Sequence, residues 1–283
     1  MANSKQGIDI SSAPTVVIRP SRGWIPVNLR DLWHYRELLY FLTWRTIKVR
    51  YKQTALGFTW AIIQPFCMMV VFTLFFGNLA KIPSEGIPYP LFSYAALLPW
   101  TLFAEGINRS SQSLVADANL VKKVYFPRLV MPLASILSPV VDFAIAFTIL
   151  IGMMFYYGYP PTINVLWLPA FILLALMTSL GVGLWLSAIN VKYHDIRYAV
   201  PFLVQLWLFA SPVVYSSSLL PQQFRVIYGI NPMSGVIEGF RWALLGTEPP
   251  GSLIALSVVI VIVILVSGAF YFRRNEKTFA DII

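Results

Sequence analysis

Long stretches without charge alternate with short charged segments along this chain, and the period is that of membrane crossings. No Asp, Glu, Lys or Arg occurs between Lys52 and Lys81, and none between Asp142 and Lys192. A helix rising 1.5 Å per residue needs about 20 apolar residues to cross hydrocarbon. The pattern therefore predicts spans over residues 56–80, 89–104, 129–157, 165–189, 198–216 and 252–272. The stretch after Asp142 is too long for one helix, and Tyr-Gly-Tyr-Pro-Pro at 157–161 divides it into two, because Gly and Pro end helices.

The segments between the spans carry patterns of their own. Residues 1–28 are polar, with no apolar leader or small-residue cleavage site, and read as a flexible cytoplasmic segment. Residues 29–52 are amphipathic without being apolar enough to cross. His34, Glu37, Arg45, Lys48 and Lys52 recur at helical steps while Leu32, Leu39 and Leu42 face elsewhere, and Arg36 and Arg50 fall off the polar stripe. Such a helix lies in the membrane interface, as a plain anchor or as a lever between a cytoplasmic partner and the first span. Ser110 to Arg128 starts on Ser, Asp and Asn and stops at Pro127. That marks a short amphipathic cytoplasmic helix, either a docking element or a solvated connector. Before the last span, Val226 to Gly246 is apolar on both sides of Asn231-Pro232, with Gly235 and Gly239 at GxxxG spacing. Short re-entrant outer helices that pack closely fit it, with Glu238 and Arg241 three residues apart as a pair on one face.

Composition agrees: 58% of the 283 residues are hydrophobic and 12% charged, about half the charge of a soluble domain. The net charge of +9 follows topology rather than nucleic acid. Six spans place both termini on one side, and of 21 basic residues only Lys81, Arg225 and Arg241 then fall outside, as the positive-inside rule requires. The fold class is thus an all-α integral membrane domain over residues 29–283. It has six transmembrane helices, an interface helix, a cytoplasmic helix and re-entrant outer helices.

Little catalytic chemistry is visible. The two histidines, His34 and His194, stand apart, Cys67 lies alone within the first span as a small core residue, and no glycine precedes a lysine. No metal cluster or phosphate-cradling GxxxxGK[ST] loop is formed. Any nucleotide hydrolysis belongs to another chain, and no cofactor is expected on this one. Asp142 is the clearest charge inside a span, a functional candidate or a carboxylate paired with a neighbouring span. Trp60, Phe66, Tyr94, Trp100, Phe103, Trp207 and Tyr215 lie within spans. They are packing aromatics, or faces along which sugar rings slide.

The blocks WRTIKVRYKQTALGFTWAIIQP, NLVKKVYFPRLVMPLA, SAINVKYHDIRYAVPF, SPVVYSSSLLP, INPMSGVIEGFRWALLG and FRRNEKTFADII cover nearly the whole chain. In that order they resemble the permease subunits of type-2 ATP-binding-cassette exporters, most closely the branch that exports O-antigen and related polysaccharides. One departure is Thr46, where an acidic residue is expected after the Trp-Arg pair.

The resemblance implies a cytoplasmic ATPase in two copies carrying ATP and Mg, a second copy of this chain, a lipid-linked polysaccharide and the bacterial inner membrane. It implies a gate helix bearing Arg45, Lys48, Arg50, Tyr51 and Lys52, and an ATPase-coupling element with Asn119, Leu120, Lys122, Lys123, Tyr125, Phe126 and Arg128. The span aromatics named above would line the route, and Asn231, Pro232, Glu238 and Arg241 would shape the exit. Other readings are an exporter of teichoic acid, a small lipid or a drug, and a membrane glycosyltransferase or ligase acting on a lipid-linked sugar.

Overall fold

The computed structural model describes residues 29–52, 57–219, 228–251 and 253–282. The expected N-terminal segment, the first residue of the first span and the start of the last span fall outside these residues. Every regular element among the described residues is helical. Four helical runs are long and apolar enough to cross a membrane: Thr59–Leu79, Val130–Tyr157, Ile163–Lys192 and Ile254–Thr278.

At the centre stands Tyr89–Ala116, a helix of 28 residues and about 42 Å. It passes beyond the expected end at residue 104 because Glu105 and Arg109 pair with each other one helical turn apart, so their charges do not force the chain out into water. Leu168–Lys192 packs along it, and Leu253–Asn275 packs on Leu168–Lys192 in turn. Tyr94, Phe92 and Phe103 are fully buried in the resulting core.

Local sequence explains the interruptions. The first span widens into a π-helical stretch over Thr73–Leu79, where Gly77 lets the Tyr89 ring press onto the turn; a Cβ there would come within 2.8 Å of it. The third span is two helices, Val130–Leu137 and Pro139–Tyr157, meeting at Ser138, since Pro139 has no N–H for the continuing ladder. Gly158 ends it in the left-handed conformation, with the Tyr159 amide bonded to Met154 carbonyl at 2.8 Å. This Gly-capped stop confirms the division expected at 157–161.

Several expectations need correction. The interface segment is two helices, Leu29–His34 and Arg36–Lys52, and apolar side chains occupy two of its faces. Leu42 is buried against the Val130–Leu137 region while Trp33, Tyr40, Phe41 and Trp44 point outward, where indole and phenol rings suit the headgroup zone. In the connection expected to be cytoplasmic, only Ala118–Lys123 forms a separate helix, because Ser110 to Ala116 continue the central one. Cys67 is exposed rather than a core residue. The fifth apolar segment is helical only over Ile196–Phe209; at 14 residues it spans about 21 Å, short of the hydrocarbon thickness.

The GxxxG spacing does mark close packing. A Cβ on Gly239 would sit 2.1 Å from the Phe171 ring, and one on Gly235 2.7 Å from Ser257 Oγ. The closest backbone approach lies elsewhere, where a Cβ on Gly268 would meet Gly181 carbonyl oxygen at 2.3 Å. Backbone cannot yield as a side chain can. Gly268→Val is expected to destabilise the detergent-solubilised protein by about 1–3 kcal/mol, read as a lowered thermal midpoint. Gly152→Val, where nothing lies within 4 Å, should leave the midpoint nearly unchanged.

Candidate functional site: an ion-pair cluster, a helical tip and a carbonyl cradle

Arg50 is set off the polar stripe of its helix by one step, and that step turns it inward. Its Nη1 lies 2.6 Å from Asp142 Oδ2 and 3.7 Å from Glu105 Oε2. Arg109 completes the cluster, with Nε 3.0 Å from Glu105, Nη2 3.7 Å from Asp142 and Nη1 donating to Ser138 Oγ at 3.1 Å. The Tyr51 hydroxyl donates to Asp142 Oδ1. Burial first, and then this bond to a carboxylate, hold the Tyr51 phenol above its ordinary range. Two cations facing two carboxylates make a neutral group, the arrangement in which charge survives at low dielectric. The cluster ties the interface helix to the central helix and to the third span, at the break that Pro139 creates.

The remaining gate residues divide. Arg45 reaches Asp117 Oδ2 at 2.5 Å and so joins the interface helix to the start of the Ala118–Lys123 helix. Both groups are about one-third exposed, so the pair contributes at most about 1 kcal/mol. At the departure from the expected acidic residue, Thr46 instead bonds Leu42 carbonyl at 2.9 Å. Lys48 and Lys52 point into solvent.

The expected coupling residues, on the tip around Ala118–Lys123, likewise separate into two sets. Asn119, Lys122, Lys123 and Tyr125 are exposed, Tyr125 at 78%, while Leu120 is half-buried. Phe126 is buried with Leu42, Val121 and Phe279. Arg128 turns inward: its amide donates to Glu276 Oε1 at 3.1 Å and its guanidinium to Glu276 carbonyl. Arg273 holds the other Glu276 oxygen at 2.8 Å. Phe126 and Arg128 therefore fasten the tip to the C-terminal end instead of presenting a surface.

On the opposite side, the chain after Phe209 runs on without a helix through Val213 and Val214, both buried. Its carbonyls need donors, and Arg241, 3% exposed, supplies them. Its Nη2 donates to Val213 carbonyl at 2.8 Å, Nη1 to Tyr215 carbonyl at 3.3 Å and Nε to Phe92 carbonyl at 3.3 Å. The guanidinium carbon lies 3.5 Å from the Phe92 ring centroid. Tyr89 donates to Val214 carbonyl at 2.7 Å. Asn231 Nδ2 donates to Ala210 carbonyl and Ser211 Oγ, and its Oδ1 accepts from Trp207 Nε1 and from the Met233 amide that starts the Pro232–Leu245 helix. Arg241, expected as an outside charge paired with Glu238 on one helix face, feels the Glu238 charge and is also the centre of a carbonyl cradle.

The expected route aromatics are also reassigned. Tyr94, Trp100 and Phe103 are buried within the chain, and Phe103 packs at 5.0 Å on Trp207 and 5.3 Å on Trp100. They hold helices together. Tyr215, half-buried, shares a hydrogen bond with the Tyr228 hydroxyl. Trp60 and Phe66 on the first span do face outward.

Sequence reading missed Glu105, Ser138 and Glu276. The four-residue step from Glu105 to Arg109 was the signal for the first and the three-residue step from Arg273 to Glu276 for the last; nothing local marked Ser138.

Comparison with known proteins places these features. A family model described as ABC-2 type transporter matches residues 37–245. The O-antigen export system permease protein RfbA of Myxococcus xanthus is 29% identical over 260 residues, which are 90% of this chain and 98% of that protein. An RfbA of Klebsiella pneumoniae is 26% identical over 89% of this chain and 97% of its own. The polysialic acid transport protein KpsM of Escherichia coli is 25% identical over 82% and 91%.

Removing one member of the inner cluster leaves a charge uncompensated. Arg50→Ala and Asp142→Ala should each lower stability, and a double-mutant cycle on thermal unfolding should return a coupling of about 1–3 kcal/mol. Additive losses would mean that the pair does not couple. Arg241→Leu strands three carbonyls and should cost at least about 3 kcal/mol. That variant should show a marked fall in monodisperse protein on size exclusion, while Arg241→Lys loses less.

Proposed function

Because the chain belongs to the ABC-2 type transporter family, matched over residues 37–245, we propose that it is the permease subunit of an ATP-driven exporter of a lipid-linked, O-antigen-like polysaccharide. The observation that carries the substrate is near end-to-end likeness to O-antigen export permeases, over 90% of this chain for the one from Myxococcus xanthus. Likeness to a polysialic acid transport protein supports the broader class, polysaccharide.

The chain is a transport subunit of the bacterial inner membrane, and it hydrolyses nothing itself. ATP and Mg sit on a separate ATPase. Both termini are cytoplasmic, so the basic residues of the interface helix, the tip and the C-terminus share the side of anionic lipid. Two permeases and two ATPases form the exporter, the family's usual assembly. The short Ile196–Phe209 helix supports a second copy: an element that cannot cross lipid needs protein cover, and its outer face presents Tyr198, Phe202 and Leu206. With Trp60 and Phe66 of the first span, Tyr198 and Phe202 replace the buried aromatics as surfaces for sugar rings, whose CH faces lie well on aromatic faces.

Asn119, Lys122, Lys123 and Tyr125 seat in the ATPase. Motion there reaches the first span through the Arg45–Asp117 pair and the Arg50–Asp142–Glu105–Arg109 cluster, which makes the interface helix a lever. Lys122→Glu combined with Lys123→Glu should weaken co-purification of the ATPase at least about tenfold, two reversed charges at a steered interface being ample for this. Export should fall in parallel while the permease stays in the membrane. Unchanged complex and export would remove the coupling role. The permease purified without its partner should show no ATP hydrolysis; robust turnover would overturn the transport-subunit reading.

A further inference from the structure

Beyond the last span the chain forms a hook. Leu253–Asn275 runs into a 3-10 turn, Glu276–Thr278, and then into the short helix Phe279–Ile282, which packs directly on Ala118–Lys123. Asn275 Nδ2 donates to Tyr271 carbonyl and Thr278 Oγ1 to Asn275 carbonyl, both at 2.8 Å, so the turn is stitched by its own side chains. Phe279 is 1% exposed, and its ring meets that of Phe272 edge to face at 5.2 Å. Phe126, Val121 and Leu42 belong to the same apolar cluster.

We infer that this hook is a positioning element for the ATPase seat, with Glu276 the residue that sets how the tip stands. The inference rests on the reading that Asn119, Lys122, Lys123 and Tyr125 meet the ATPase. From Val124 to Pro127 the chain is not helical, and Val124 is extended, so no backbone ladder runs from the tip into the Val130–Leu137 helix. That helix begins without a side-chain cap of its own. Glu276, 148 residues on, supplies the missing acceptor: its Oε1 takes the Arg128 amide at 3.1 Å, where a carboxylate also suits the positive end of the helix dipole. Its carbonyl takes the Arg128 guanidinium and the Phe279 amide, and Arg273 holds Oε2 at 2.8 Å, which fixes the carboxylate in place.

Of the two polar ties on the tip, this is the stronger. Arg45 and Asp117 are 38% and 32% exposed, against 18% each for Arg273 and Glu276. Solvent screens the first pair more, and the second is backed by the packed rings. A tip held in this way presents Lys122 and Lys123 already oriented, so docking needs less ordering.

The first test reads the permease itself. A nitroxide on Val124→Cys, a position 50% exposed, reports tip motion in the full-length protein in nanodiscs, with Cys67→Ser leaving one labelled site. Glu276→Ala should abolish the immobilised component of the spectrum. Glu276→Gln keeps an oxygen for the Arg128 amide and should retain that component. The second test is affinity for the ATPase, measured without the label. Glu276→Ala should bind about fivefold more weakly, the scale of ordering a few side chains on docking. Glu276→Gln loses the charge facing Arg273, so its thermal midpoint should fall while its affinity stays; that split separates positioning from stability. Glu276→Asp withdraws the oxygen by one methylene and should move both readouts in the same direction, which decides the matter where the Ala variant does not fold. An immobilised label in Glu276→Ala would overturn the inference. So would a freed label with unchanged affinity, or equal loss in Ala and Gln. Failure of the coupling reading looks different: ATPase binding would be indifferent to Lys122→Glu with Lys123→Glu while Glu276→Ala still frees the label.

Discussion

In hydrocarbon every backbone carbonyl must find a donor within the protein, and one segment of this chain cannot find it in a helix. Past Phe209 the fifth apolar segment leaves helical geometry, and its carbonyls are met by Arg241, Tyr89 and Asn231. An unsatisfied group at that depth costs several kcal/mol. Burying a guanidinium costs as much again, but hydrogen bonds from a charged donor are worth about 1.5–3 kcal/mol each, and Arg241 makes three. The ring of Phe92 beneath it adds a cation–π contact. The charge and the broken backbone are each unfavourable alone and support each other together. The Pro232–Leu245 helix has to dock where it does because it carries Arg241, and Gly235 and Gly239 allow that approach.

The inner side solves the same problem with charge against charge. Arg50, Arg109, Glu105 and Asp142 neutralise one another, and three separate elements are held by one group. A rigid tie of this kind transmits displacement, whereas a greasy contact between helices would slide. The exposed Arg45–Asp117 pair fixes geometry more than it stabilises. The carbonyl cradle joins elements at one end of the bundle, and the ion-pair cluster joins three elements at the other.

Much of this was legible in the sequence. Charge-free runs located the four long apolar spans, and Tyr157 to Pro161 marked the turn between two of them. The off-stripe position of Arg50 was visible on the helical wheel, but its partner lies 92 residues on, and a periodicity carries no information across that distance. Asp142 stood out as a charge in a span and proved to be the centre of the cluster. The end of the fifth helix at Phe209 was missed although Ser211-Pro212 marked it, since Pro212 has no N–H to continue the ladder; what could not be read is that donors from other elements meet the carbonyls beyond. The route aromatics misled for a similar reason. Composition counts Tyr94, Trp100 and Phe103 alike with Trp60 and Phe66, and only packing separates a ring that fills a core from one that faces outward.

Hydropathy also failed in an instructive place. Tyr89–Ala116 is among the less apolar long helices, interrupted by Glu105 and Arg109, yet it is the one around which the bundle is built. Lipid sets the hydropathy a helix needs only where lipid touches it. The last span is mostly exposed along Val258 to Val266 and is almost wholly aliphatic there. The central helix is enclosed by protein for most of its length and is free to carry serines, a carboxylate and a guanidinium, provided each finds a partner. Polarity along a helix of this protein therefore reports enclosure, and the charges that shorten a predicted span mark the face turned toward its neighbours.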